Sequence, residues 1–336
     1  SFIFIDSLLI PSTIMREGGM INVIMAGFDR LKPEARAGIM VIQPEGGRSS
    51  MGIKRADFAG TWYPGSRKEC LKSMESFART GYATDKKYSG AGGIVPHAGW
   101  RFSGLTAYSV FASIQMRERP ELFFIFGRHL PPRSTNVVFL DDGFETPLGV
   151  LPVHKEACER LCEASSLRRE NAVSATRDNT IELQLPFIKH LFPDSKVVAL
   201  AVSADERAVD IGEKCAGIAE ELGVRACFIG STDLTHYGPN YDFMPKGTGA
   251  VRWVKEENDR RIVEALLSGD PRRVLSEAEG SRNACCPGGA AAALAAIREN
   301  AGIRATGPAE GALLHYTTSY DIHPDASFVG YTGIVY

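Results

Sequence analysis

The sequence predicts an α/β fold, a single domain with a largely parallel central sheet flanked by helices. Two observations carry this. Short β-rich apolar runs recur along the chain: GGIV (92–95), LFFIF (122–126), KVVALAV (196–202) and ACFIG (226–230). They are continuous rather than alternating, as expected of strands buried on both faces. Between them lie longer stretches of mixed composition and helical length, and such alternation implies parallel strands joined by crossover helices. A third observation sets the scale, since 336 residues, 44% hydrophobic and 23% charged, can bury one sizeable core.

Taken in order, residues 1–50 read as an extension and 51–336 as the α/β domain. SFIFIDSLLIPS is apolar, but no basic leader precedes it and no small-residue cleavage site comes after it, so it makes a poor signal peptide. Met51-Gly-Ile-Lys-Arg reads as a natural start. Helices are expected at 66–79, 103–116, 154–167, 180–191, 206–222, 252–267 and 287–299, around the four strands. The turns PDS (193–195) and SGD (268–270) separate elements, and SFVGYTGIVY (327–336) reads as a final strand. Pro287 suits a first helical position, and the GGAAAALAAI after it is small on all sides, fit to pack closely on a sheet.

Composition excludes several function classes. The net charge of −2 comes from 38 basic and 40 acidic residues spread along the chain, without the basic, aromatic-interleaved cluster of a nucleic-acid surface. Seven cysteines, scattered and without a C-x-x-C, argue against a zinc ribbon or a secreted disulfide framework. They favour a reducing, cytoplasmic setting. No apolar run approaches the length of a membrane span. There is no Walker loop, G-x-G-x-x-G, H-E-x-x-H or G-x-S-x-G. Ser231, Asp233 and His236 lie too close in sequence to form a hydrolase triad.

The residues just past the strands are more informative. GGIV leads to Pro96-His97, LFFIF to Gly127-Arg128-His129, and ACFIG to Ser231-Thr232-Asp233-Leu234-Thr235-His236. In open α/β sheets ligands bind beyond the carboxyl ends of the strands, where residues distant in sequence converge. Cys285 and Cys286 immediately precede Pro287, so a helix N-terminus favours a thiolate there. Two neutral imidazoles and one anion hold a redox metal while leaving positions open. His97 and His129 with either Cys285 or Asp233 meet that count, and His236 is then a supporting residue or an acid/base group. Trp100 is expected to pack over the turn beside His97 and is a candidate substrate contact. His154, His190, His315 and His323 read as surface or structural residues, and Glu182 as a partner for a helix dipole.

PHAGW, the strand leading to G-x-H, STDLTHYG and the cysteine before a small-residue helix occur in this order in the Memo family, as do AGTWYPGS (59–66) and TIELQLPF (180–187). From about Met51 to its end the chain resembles that family, which includes the AmmeMemoRadiSam system protein B type. The resemblance implies a fold similar to the class III extradiol dioxygenases and a metal centre of iron or copper at His97, His129 and Cys285. Asp233 and His236 fall among the family's polar pocket residues. It further implies an oxidoreductase and a functional link to radical SAM proteins; the alternatives are a protein that captures a peptide, small molecule or other partner in the same pocket without turnover, or a metal carrier or redox buffer that binds copper or iron. The chain departs from the family pattern at five places. Leu130 and Asn179 stand where histidines are common, Phe58 where some members have histidine, and Cys286 where glycine is frequent. Arg128 replaces a small residue and is expected to give the pocket a cation for an anionic group.

Overall fold

All four continuous apolar runs are strands of one sheet. The computed structural model describes residues 2–5, 8–11, 52–302 and 310–336. In chain order the sheet comprises β1 (Gly92–Val95), β2 (Leu122–Leu130), β3 (Val137–Phe139), β4 (Arg168–Glu170), β5 (Lys196–Ser203), β6 (Ala226–Ser231), β7 (His236–Tyr237), β8 (Ala312–Thr318) and β9 (Phe328–Val335). They are arranged in the order β7-β9-β1-β6-β2-β5-β3-β4, with β8 also paired to β9. The central β1, β6, β2 and β5 are mutually parallel. Toward the edges the sheet turns mixed, since β3 is antiparallel to β5 and β9 is antiparallel to β1 and β8. The final strand runs this way because only a short helical turn, Ser319–Ile322, links it to β8. That link is too short for the crossover a parallel neighbour needs.

Helices cover both faces. They are α1 (Arg67–Thr80), α2 (Trp100–Arg117), α3 (Lys155–Ala164), α4 (Asn179–Glu182), α5 (Leu185–Leu191), α6 (Arg207–Glu221), α7 (Ala250–Trp253), α8 (Asp259–Leu267), α9 (Pro271–Ser281) and α10 (Pro287–Asn300), with a π turn, Val254–Asn258, between α7 and α8. Successive residues of β1 show which helix lies where. A side chain at Gly92 would strike Ile297 of α10, and one at Gly93 would strike Val110 of α2. Because side chains alternate across a strand, α2 and α10 take opposite faces. The largest fully buried side chains of the core are phenylalanines, among them Phe111, Phe123, Phe124, Phe126, Phe187 and Phe228.

The small-residue helix α10 lies directly on the parallel strands. A Cβ at Gly288 would come within 2.2 Å of Ser203 O, at the end of β5, and one at Gly212 of α6 within 2.1 Å of Ala292 O. Glycine there is a condition of contact, and it sets the start of α10, with the two cysteines before it, at the carboxyl rim of the sheet.

Several elements differ from expectation. The helix expected at 180–191 breaks into α4 and α5 around Leu183 and Gln184, where the buried Gln184 turns Nε2 to donate to Pro96 O at 3.0 Å. Neither α9 nor β8 is among the expected elements, although Asp270 caps α9 by accepting from Arg272 N and Arg273 N and Pro271 opens it, a sequence-level start signal. A small sheet of Ile53–Lys54, Gly143–Phe144 and Leu151–Pro152 also forms. Among the described residues no helix is long and apolar enough to cross a membrane. Phe2–Ile5 and Leu8–Pro11 form an antiparallel pair in a separate unit, and the rest of the 1–50 extension lies outside the described residues.

Candidate metal centre

His97 comes directly after β1 and is held from every side. Its N–H donates to Asp233 Oδ1 at 2.7 Å, and its carbonyl accepts from Asn179 Nδ2 at 3.1 Å. Ring Nδ1 lies 3.0 Å from Ser231 Oγ, whose hydroxyl proton is committed to Thr180 O at 2.6 Å. Ser231 therefore accepts, Nδ1 carries a proton, and Nε2 is the nitrogen available to a metal, aimed at Cys285 Sγ 3.2 Å away. Burial disfavours charge on this ring, but the Asp233 carboxylate and Cys285 outweigh it and hold its pKa up at about 9. Without a metal, His97 is thus an imidazolium facing a thiolate.

Cys285 supplies that thiolate. Its N–H donates to Asp233 O at 3.1 Å, and Asp233 N–H donates back to Sγ at 3.2 Å. Burial works against the anion, yet Cys286 and the two imidazoles hold the thiol well below its ordinary range. Elsewhere burial does the reverse, with neighbouring anionic groups adding to it, and pushes Cys70 up to about 11 and Cys158 up to about 12. Cys286, buried beside Cys285 at an Sγ–Sγ distance of 3.8 Å, stays a thiol.

His129 comes from the extended end of β2 and is exposed. Its ring stands edge-on to His97, centroids 5.1 Å apart, and contact with the Cys285 thiolate raises its pKa against the effect of burial. The ligand atoms of His97, His129, Cys285 and Cys286 all lie within 4.8 Å of one another. Of the two anions left open by the sequence, Cys285 is in this group. Asp233 is not in it; one of its oxygens accepts from His97 N, and the other lies 3.9 Å from Nε2 beside the group. Two imidazoles and a thiolate suit iron or copper.

Beside the cluster opens a cavity of about 560 Å³, lined by His97, His129, Asn179, Asp233, His236 and Tyr241, with Trp62, Arg101 and Tyr331 among others. His236 Nδ1 donates to Leu234 O at 3.1 Å, which leaves Nε2 as a proton acceptor, and its ring meets Tyr241 edge-on at 4.8 Å. His323, expected to be surface or structural, also lines this cavity.

The two residues expected to touch substrate are turned elsewhere. Trp100 is buried, stacks on Phe187 at 4.3 Å and donates its indole N–H to Leu183 O, and it is not among the residues that line the cavity; Trp62 lines it instead. Arg128 points to the other side of the β2 extension from His129. Its guanidinium grips Glu170 with two bonds, at 3.1 and 2.9 Å, and Asp178 at 3.4 Å. The buried Glu170 needs that cation, and Arg128 has none left over for a ligand in the His129 pocket. Glu182 does more than face a helix dipole: it accepts from Asp57 N, Phe58 N and Tyr63 Oη, fastening the AGTWYP loop to α4.

Sequence reasoning missed Ser231 and Thr180 as the pair that orients His97, and Asn179 as support for its backbone. The signal was faint: Ser231 ends β6, next to the polar run that carries Asp233 and His236.

Relatives have the same extent. The profile of the family described as Memo-like protein matches residues 54–335. A MEMO1 family protein of Thermococcus onnurineus is 31% identical over 292 residues, 83% of this chain and 97% of that protein. One of Pyrococcus furiosus is 30% identical over 294 residues, 84% of this chain and 98% of its own length. The crystal structure of an uncharacterized protein from Escherichia coli K12 covers 72% of this chain and 98% of its own at 11% identity, with a TM-score of 0.47, too distant to inform the chemistry. With a profile spanning almost all of the α/β domain and relatives aligned along nearly their whole length, this chain belongs to the Memo-like protein family.

Proposed function

We propose that the chain binds one iron(II) or copper ion through His97 Nε2, His129 and Cys285, and acts as a metal-dependent, dioxygenase-like oxidoreductase on a small molecule in the adjoining cavity. The observation that supports it most is the Thr180–Ser231–His97 relay, which presents an unprotonated Nε2 to the Cys285 thiolate once the shared proton leaves. A bound ion of this kind supplies one-electron chemistry and activation of dioxygen or of a coordinated substrate. The protein's own residues do the rest. Asp233 fixes the His97 backbone and balances its charge. His236, anchored through Nδ1, offers Nε2 to take a proton from a molecule in the cavity. The test is anaerobic purification and metal analysis of wild type and Cys285→Ser. About one equivalent in the first and a small fraction of that in the second supports the centre, while equal, substoichiometric content in both removes Cys285 from it.

Capture of a peptide or other partner without turnover is a second reading, favoured by Trp62, 42% exposed at the cavity mouth. Under it, His97→Ala with His129→Ala leaves partner affinity intact. Under the first, metal and activity are both lost.

A further inference from the structure

The centre contains one more sulfur than two imidazoles and one anion require. Cys286 is 2% exposed, and its Sγ belongs to the same group of ligand atoms as His97, His129 and Cys285. Two thiolates on one tetrahedral ion, each at about 2.3 Å from the metal, stand about 3.8 Å apart. The Cys285 and Cys286 sulfurs already have that separation, 3.8 Å. Their backbone is fixed as well. Cys285 N–H donates to Asp233 O, Cys286 N–H donates to Thr232 Oγ1 at 3.1 Å, and α10 begins at the next residue. The donor set is therefore two nitrogens and two sulfurs, the set that selects closed-shell thiophilic ions.

Resting on the reading that His97, His129 and Cys285 bind an ion, we propose that Cys286 is a fourth ligand when that ion is copper(I) or zinc(II), closing the site as a two-imidazole, two-thiolate tetrahedron. As the sulfur–metal bond forms, the Cys286 thiol proton passes to solvent, and no electron changes hands. The position is then unavailable to dioxygen or substrate, so the open centre that the proposed oxidoreductase needs is the iron(II)-loaded one, and copper(I) or zinc(II) leaves the cavity facing a closed centre.

Cobalt(II) is the probe, because its thiolate charge-transfer absorption scales with the number of sulfurs and its ligand-field bands report four-coordination. The full chain is titrated anaerobically as wild type, Cys286→Ala and Cys285→Ser, with circular dichroism to verify folding and zinc competition to measure affinity. Wild type is expected to show tetrahedral bands and about twice the charge-transfer intensity of Cys286→Ala. Zinc affinity in that variant should fall by no less than the ~10-fold that loss of a supporting hydrogen-bond partner costs. Equal intensity and equal affinity in wild type and Cys286→Ala overturn the proposal while leaving the three-residue centre standing. Failure of wild type itself to bind either ion overturns both. If Cys286→Ala does not fold, X-ray absorption of the zinc-loaded wild type decides, two sulfur neighbours supporting the proposal and one overturning it.

Discussion

Ser231 shows how a single hydroxyl sets the tautomer of a candidate metal ligand. Because its proton goes to Thr180 O, its oxygen can only accept from His97 Nδ1. Ser231→Ala removes that acceptor, frees the ring to take either tautomer, and should weaken metal binding by about 10–100-fold in chelator competition. Arg128 and Glu170 make a residue-scale case of a different kind. Glu170 is 4% exposed and held below its usual carboxylate range by the Arg128 guanidinium despite its burial. Glu170→Gln should cost about 2–3 kcal/mol in urea unfolding, at or just under the range for breaking a buried pair, since Asp178 still faces Arg128. Metal content of the folded variant is expected to match wild type, and a variant that folds well yet binds no metal would contradict the separation of Arg128 from the centre.

Among the elements, α10 is the one whose packing matters most to the site. It touches β2, β5 and β6 through glycine and alanine and is clamped by α6 at Gly212. Gly212→Val would force side-chain carbons into Ala292 O, and overpacking of this sort typically costs about 1–3 kcal/mol. The expected result is a lowered thermal midpoint together with metal loss at temperatures where α6 and α10 separate, measured by heating the loaded protein with a chelator present. The sequence disclosed much at this scale. The continuous apolar runs marked the four central strands, and Pro287 marked the start of α10. The antiparallel direction of β9 was hidden because a buried apolar strand reads alike in either direction, and β8 because LLHYTT mixes polar with apolar residues. At the site, His97, His129 and Cys285 were legible from their places after strands and before a helix. The direction of Arg128 and Trp100 was not, since it depends on partners, Glu170 and Phe187, that only tertiary structure supplies.

For the molecule as a whole, Asp259 gives stability a pH signature. It is fully buried, accepts from Thr235 N and Tyr316 Oη, and is pushed by burial up to about 6, with those hydrogen bonds pulling the other way. An unfolded aspartate titrates near 3.9. Between those values the folded chain keeps a proton that the unfolded chain has released. This contribution is therefore complete below about 3.9 and disappears as the pH rises through about 6. The difference in unfolding free energy between wild type and Asp259→Asn should accordingly grow in favour of the variant from pH 4 to 7, by on the order of 2–3 kcal/mol; a flat difference across that range would refute the assignment. The exposure of His129 has a further consequence. His97 and Cys286 are buried, His97 showing only an edge to the cavity, whereas His129 stands at the surface. In the proposed centre ion exchange should therefore be one-sided: an incoming donor is expected to unseat the outer imidazole first, and whatever delivers or strips the metal to approach by that door.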